Sequence, residues 1–149
     1  MAEKIISTNK EARYKYLLFD VFEAGIELKG PEVKSVRDGG VSLKDSFARV
    51  ENGEIFLYNM HIAPYEYANI NAPEPKRARK LLLRKSEIVK LASKISQRGF
   101  TIVPTKLYFK KGFAKVEIAL AKGKRLYDKR EAIKKREAQR EMRRSLRGK

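Results

Sequence analysis

The chain has 149 residues, room for one domain and an appendage, and carries 35 Lys and Arg against 18 Asp and Glu, a formal +17 that points to a polyanionic partner. The absence of cysteine excludes disulfides, thiolate zinc sites and cysteine nucleophiles, and makes the reducing cytoplasm the expected compartment. Apolar runs such as Tyr16 to Phe19 and Leu81 to Leu83 fall far short of the ~20 residues a membrane helix needs, and Met1 to Ile6 lacks the apolar core of a signal peptide.

Tyr14 to Leu28 is dense in aromatic and branched residues around Ala24-Gly25, which predicts a long strand bent at Gly25. Gly30 to Arg37 places proline in the first turn, Glu32 early and Lys34 and Arg37 late, with Gly39-Gly40 as a stop, the pattern of a short helix. Ser46 to Glu51 and Glu54 to Met60 flank Asn52-Gly53, an antiparallel hairpin signal because both turn residues tolerate positive φ. Residues 64–80 hold Pro64, Pro73 and Pro75 and end in Arg77, Arg79 and Lys80, and read as a long surface loop.

Beyond Leu81-Leu82-Leu83, Ser86 offers an N-cap, and Ile88, Leu91, Ala92 and Ile95 recur at helical spacing up to Gly99, predicting a helix over residues 86–98. Thr101 to Lys110 and Phe113 to Ala121 form a second hairpin across Lys111-Gly112. Its second arm turns Ala114, Val116, Ile118 and Leu120 inward and Lys115 and Glu117 outward. Roughly five or six mostly antiparallel strands with two short helices predict a small β-barrel of the oligonucleotide-binding (OB) type, with an open α+β sandwich as the alternative.

Charge divides the chain. Residues 1–121 hold 22 basic and 14 acidic side chains, residues 122–149 hold 13 and 4, so a barrel over 1–122 and a basic tail over 123–149 are expected. The stretch from Asp128 to Leu146 consists of strong helix formers, yet its apolar stripe is only Ala138, Met142 and Leu146. Such a tail stays largely disordered until polyanions neutralise it, and folds as a helix then.

Catalytic chemistry finds little support. His61 is the single histidine and has no Ser, Cys or carboxylate pattern beside it, and Asp45-Ser46 lacks a base. Neither Gly39-Gly40 nor Ala121-Lys122-Gly123-Lys124 has phosphate-loop spacing. No cofactor or metal site is expected, and no enzyme. The basic groups are more informative: Arg77, Arg79, Lys80, Arg84 and Lys85 surround the leucine run as a candidate phosphate-contacting ridge. Tyr108, Phe109 and Phe113 are either base-stacking surfaces or core, a matter of facing. A structural protein of the ribosome would share the small size and the basic extension.

Five motifs in order narrow the choice: Glu23-Ala24-Gly25-Ile26, Glu32-Val33-Lys34-Ser35-Val36-Arg37, Leu43-Lys44-Asp45-Ser46-Phe47, Arg79-Lys80-Leu81-Leu82-Leu83, and Gly123-Lys124-Arg125-Leu126-Tyr127-Asp128-Lys129-Arg130. From about Asn9 to Arg136 the chain resembles the small protein B (SmpB) family of bacterial transfer-messenger RNA (tmRNA) partners. The resemblance implies an OB-type barrel that binds the tRNA-like domain of tmRNA and delivers it to stalled ribosomes. In this rescue process, trans-translation, the tail enters the vacant mRNA channel beside the small-subunit decoding centre. It implies tmRNA contacts at Glu23, Leu82 and Lys115, with Asn9 and Arg13 near the same surface, and ribosome contacts at Gly123, Lys124, Arg125, Tyr127, Asp128, Lys129 and Arg130. A cytoplasmic monomer without membrane attachment is the expected form.

Overall fold

The computed structural model describes residues 4–64, 73–97, 99–124, 136–140 and 142. In chain order the elements are β1 (Lys4–Thr8), α1 (Lys10–Lys15), β2 (Tyr16–Ile26), α2 (Gly30–Arg37), β3 (Val41–Ser42), β4 (Phe47–Glu51), β5 (Glu54–Tyr58), β6 (His61–Ile62), β7 (Arg79–Leu82), α3 (Lys85–Ile95), β8 (Phe100–Lys110) and β9 (Phe113–Gly123). The main sheet runs β1-β8-β4-β5-β7-β2-β9, and β9 pairs back onto β8. The strands from β8 round to β9 therefore form a closed antiparallel ring, the expected barrel, with β1 added outside it along β8 and β3 paired with β6 separately.

Period-2 alternation fills the ring. Ile55, Leu57, Leu81, Ile102, Leu107, Val116, Ile118 and Leu120 all point inward and are buried, and α3 adds Ile88 and Leu91. Each fully buried branched side chain contributes about 1.5–3 kcal/mol relative to exposure. Both hairpins turn on two residues of positive φ, Asn52 and Gly53 in one, Lys111 and Gly112 in the other, which suits the right-handed twist of the strands they join.

Several expectations shift. The first long strand starts at Tyr16, because the Asn9 side chain caps the short α1 by accepting from the Ala12 N–H, and α1 takes up Tyr14 and Lys15. The irregularity of β2 lies between Leu18 and Val21, while Gly25 sits in regular ladder between Leu82 and Lys115. The 64–80 segment ends as strand, with Arg79 and Lys80 opening β7. Helix α3 begins at Lys85, so Ser86 is inside it; the residue before it, Arg84, donates its N–H to the Glu87 carboxylate at 3.4 Å. The added strands β1, β3 and β6 are short or weakly patterned, which is why alternation did not reveal them.

A second small core lies outside the ring, where Ala12 of α1 meets Val103 and Ala121 beside Tyr16 and Leu18. It buries an outward position of β9 that alternation alone would assign to solvent. Strand β9 runs through Gly123, which pairs with Tyr16, so the residue expected to open the tail still belongs to the barrel. Within the tail, residues 136–140 are helical and exposed, as their composition favours.

Candidate nucleic-acid interface

The outer wall of the barrel carries a row of residues that four neighbouring strands set side by side. Tyr108 of β8 pairs with Lys115 of β9, Lys115 with Gly25 of β2, and Gly25 with Leu82 of β7. Strands are ~4.8 Å apart and residues two apart share a face, so Glu23 lies on the same wall one step from this row, and Leu82 and Lys115 stand about 10 Å apart. Residues separated by as many as 92 positions in the chain, Glu23, Leu82 and Lys115, thus gather on one face.

Alternation along β7 explains the leucine run. Leu81 is buried at 1 % exposure while Leu82 points out at 48 %, so the middle leucine is a surface residue inside an apolar triplet. Glu23 receives the Lys110 ammonium at 3.2 Å. Partial desolvation pushes the Glu23 carboxyl up, but Lys110, the Tyr108 hydroxyl and the nearby Lys115 charge together outweigh it and hold it below the usual carboxylate range. The result is an ionised acceptor fixed among cations, able to take hydrogen bonds from base or ribose donors.

The aromatic residues separate by facing. Phe109 turns inward against the core, with the Arg37 guanidinium 5.9 Å from its ring centre. Tyr108 is on the outer wall yet only 3 % exposed, with the Lys106 ammonium 5.2 Å from its ring centre, so it supports the face from beneath. Phe113, 70 % exposed at the hairpin end, is the one of the three open to a stacking partner.

The predicted basic ridge loses its centre. Arg79 is fully buried and belongs to an ion cluster: its Nε donates to Glu32 at 2.8 Å and its Nη atoms donate to the carbonyls of Met60 and Pro75. Arg77 also binds Glu32 and retains a quarter of its exposure. Burial pushes the Glu32 carboxyl up, but Arg77, the Lys29 N–H and Arg79 outweigh it, so it stays ionised below its ordinary range. Arg79 failed as a ridge residue because its counter-charge lies 47 positions away and cannot be seen locally. What remains of the ridge is Lys80, paired with Glu54 at 3.2 Å, and the exposed Arg84 and Lys85.

Asn9 follows directly on Thr8, which the register aligns through Lys106 and Glu117 with Glu23. It is buried, its amide donating to the Pro104 carbonyl at 2.9 Å while its oxygen caps α1. Arg13 is exposed on α1, which packs near Ala121, six residues and about 20 Å along β9 from Lys115. At that end Gly123 and Lys124 line a surface hollow of 530 Å³ with Tyr14, Lys15 and Tyr16. Tyr14 is 84 % exposed there and belongs to α1, not to the strand predicted from its neighbours. Arg125, Tyr127, Asp128, Lys129 and Arg130 lie outside the described residues.

The other residues considered for chemistry sit in strand pairings and turns. His61 is partly buried in the β3–β6 pairing opposite Ser42. Asp45 takes positive φ beside Ser46, whose hydroxyl donates to the Leu43 carbonyl, so the pair shapes a turn. Among the described residues no group of three or more His, Asp or Glu side chains is placed to hold a metal ion, and no helix is long and apolar enough to cross a membrane.

A family model described as SmpB protein matches residues 6–148. A protein called SsrA-binding protein from Caldicellulosiruptor saccharolyticus is 61 % identical over 143 residues, covering 96 % of this chain and 90 % of its own length. Its namesake from Carboxydothermus hydrogenoformans is 57 % identical over 145 residues, covering 97 % of both. Among solved structures, a chain from work described as "tmRNA-SmpB: a journey to the center of the bacterial ribosome" superimposes with a TM-score of 0.67 at 50 % identity, covering 79 % of this chain and 83 % of that one.

Proposed function

The chain belongs to the SmpB family, and from that premise we propose that it binds the tRNA-like domain of tmRNA through the outer wall carrying Glu23, Leu82 and Lys115, and delivers that RNA to stalled ribosomes in the cytoplasm. The observation that carries the reading is the register that assembles these three residues, an oriented acceptor, an exposed apolar surface and a cation, from three separate strands. Each has a distinct physical task. Glu23 accepts hydrogen bonds from base or ribose donors, Leu82 packs against a nucleotide face, and Lys115 neutralises phosphate and releases counterions. The protein acts by binding, as an adaptor, and makes or breaks no bond.

The basic tail has a separate task in this reading. The residues beyond Gly123 enter the vacant mRNA channel and are held as a helix where the ribosomal phosphates neutralise them, with Tyr127 stacking on ribosomal RNA and Lys124, Arg125, Lys129 and Arg130 meeting its backbone. The solved structure it resembles, whose description names tmRNA, SmpB and the bacterial ribosome, supports both partners. The test compares the full chain with one ending at Leu126. The shorter chain keeps its affinity for a transcript of the tRNA-like domain and loses tagging of stalled peptides; loss of binding to that transcript would show that the two tasks are not divided this way.

A further inference from the structure

We propose that Gly25 is a positioning residue of the RNA-binding wall, present because a side chain there would unseat Leu82; the inference rests on the assignment of Leu82 to that wall. Backbone conformation does not demand glycine at this position. Gly25 is absent from the residues of positive φ, and it sits in regular ladder between Leu82 on one side and Lys115 on the other. Any L residue can adopt such a conformation, and β-strands ordinarily disfavour glycine because it loses the most chain freedom and offers nothing to pack. Something other than the fold of β2 therefore accounts for it.

The space over Gly25 supplies the reason. A Cβ at this position would lie 3.2 Å from Leu82 Cβ, 3.4 Å from its Cδ1 and 3.7 Å from its Cγ. Leu82 thus lies across β2 in the gap that the missing side chain leaves. By contrast, Gly30 and Gly123 have nothing within 4 Å of such an atom. Seated this way, the leucine methyl groups lie low between strand neighbours, with the Glu23 carboxylate and the Lys115 ammonium rising from the same wall. A nucleotide can then meet all three at once. A methyl at position 25 pushes Leu82 away by a few tenths of an ångström, because the contact at its Cβ cannot be relieved by turning the side chain, and it crowds Cδ1 out of its present position.

The experiment uses the full chain and a transcript of the tRNA-like domain of tmRNA as probe, with Gly25→Ala, Leu82→Ala and the double variant, each checked for folding by its thermal midpoint. Gly25→Ala and Leu82→Ala each weaken binding about tenfold, and the double variant binds no more weakly than Leu82→Ala alone, since Ala at position 82 keeps the crowded Cβ but has lost the methyl groups whose displacement costs binding. Methyl NMR of Leu82 in the free protein gives a readout independent of RNA: its contacts to the position 25 backbone weaken in Gly25→Ala. Additive losses of about a hundredfold in the double variant would overturn the proposal, as would parental affinity in Gly25→Ala. If Gly25→Ala does not fold, Leu82→Ile serves instead, since it keeps the carbon count but branches at the crowded Cβ; it loses binding to a similar degree, and parental affinity there would sink the idea. Parental affinity in Leu82→Ala is a different failure, because it removes Leu82 from the RNA-binding wall altogether.

Discussion

Replacing Glu32 by Gln deprives a fully buried guanidinium of its counter-charge. Glu32 is 3 % exposed and Arg79 is 0 % exposed. Its carboxylate accepts from the Arg79 Nε at 2.8 Å, the Arg77 Nε at 3.1 Å and the Lys29 N–H at 2.9 Å, so it joins α2 to β7 and to the segment before it. Breaking one partner of a buried pair costs about 3–5 kcal/mol, because the surviving charge stays desolvated; Gln keeps one carbonyl acceptor, which places the loss at about 3 kcal/mol. For a domain of this size that lowers the unfolding midpoint by about 10–15 °C. The assay is thermal unfolding of both proteins, followed by circular dichroism from pH 7 downward. Since the folded-state pKa of Glu32 lies below its ordinary 4.5, the stabilisation is complete above that value and is lost as pH falls through the lower folded value. The gap between parent and variant is therefore full at pH 7 and closes in acid, where protonated Glu resembles Gln. A drop of less than about 3 °C at pH 7, or a gap that stays constant to about pH 3, would refute the reasoning.

Three further outcomes follow from the site. Lys115→Ala weakens binding to the tRNA-like domain and lowers the slope of log affinity against log salt by about one unit, whereas Leu82→Ala leaves that slope unchanged; titrations at several salt concentrations separate the two. Glu23→Gln weakens binding at pH 7, and because Lys110, Tyr108 and Lys115 hold the Glu23 carboxyl below 4.5, the difference from the parent persists as pH falls to that value and disappears only beneath it. Asn9→Ala removes a helix cap and a buried bond to Pro104 and costs about 1–2 kcal/mol of stability, measured by denaturant unfolding.

Much of the fold is legible locally. Asn52-Gly53 and Lys111-Gly112 announce their hairpins because positive φ is a property of the turn residues themselves. The alternation of Val116, Ile118 and Leu120 marks the inner side of β9 for the same kind of reason. The helix α3 shows in its spacing, and Gly99 stops the segment beyond it at φ +89°. Where local reading failed, a distant partner decided. Tyr14 looks like strand and becomes helix because Asn9 caps α1 and binds Pro104, 95 residues away. Arg79 looks like a surface cation and becomes core because Glu32 is there to meet it.

By itself the sequence determined the two charge compartments, the paired hairpins, the absence of cysteine chemistry and, through five motifs in order, the family. Those properties reside in residue types and their spacing over a few positions. Only the tertiary structure decided which leucine of Leu81-Leu82-Leu83 faces outward, that Leu82 lies against Gly25, and that Glu23, Leu82 and Lys115 share a wall. The reason is register: a shift of one residue in the pairing of β2 with β7 or β9 would exchange inner for outer faces, and that pairing is set by the whole closed ring and the core it encloses.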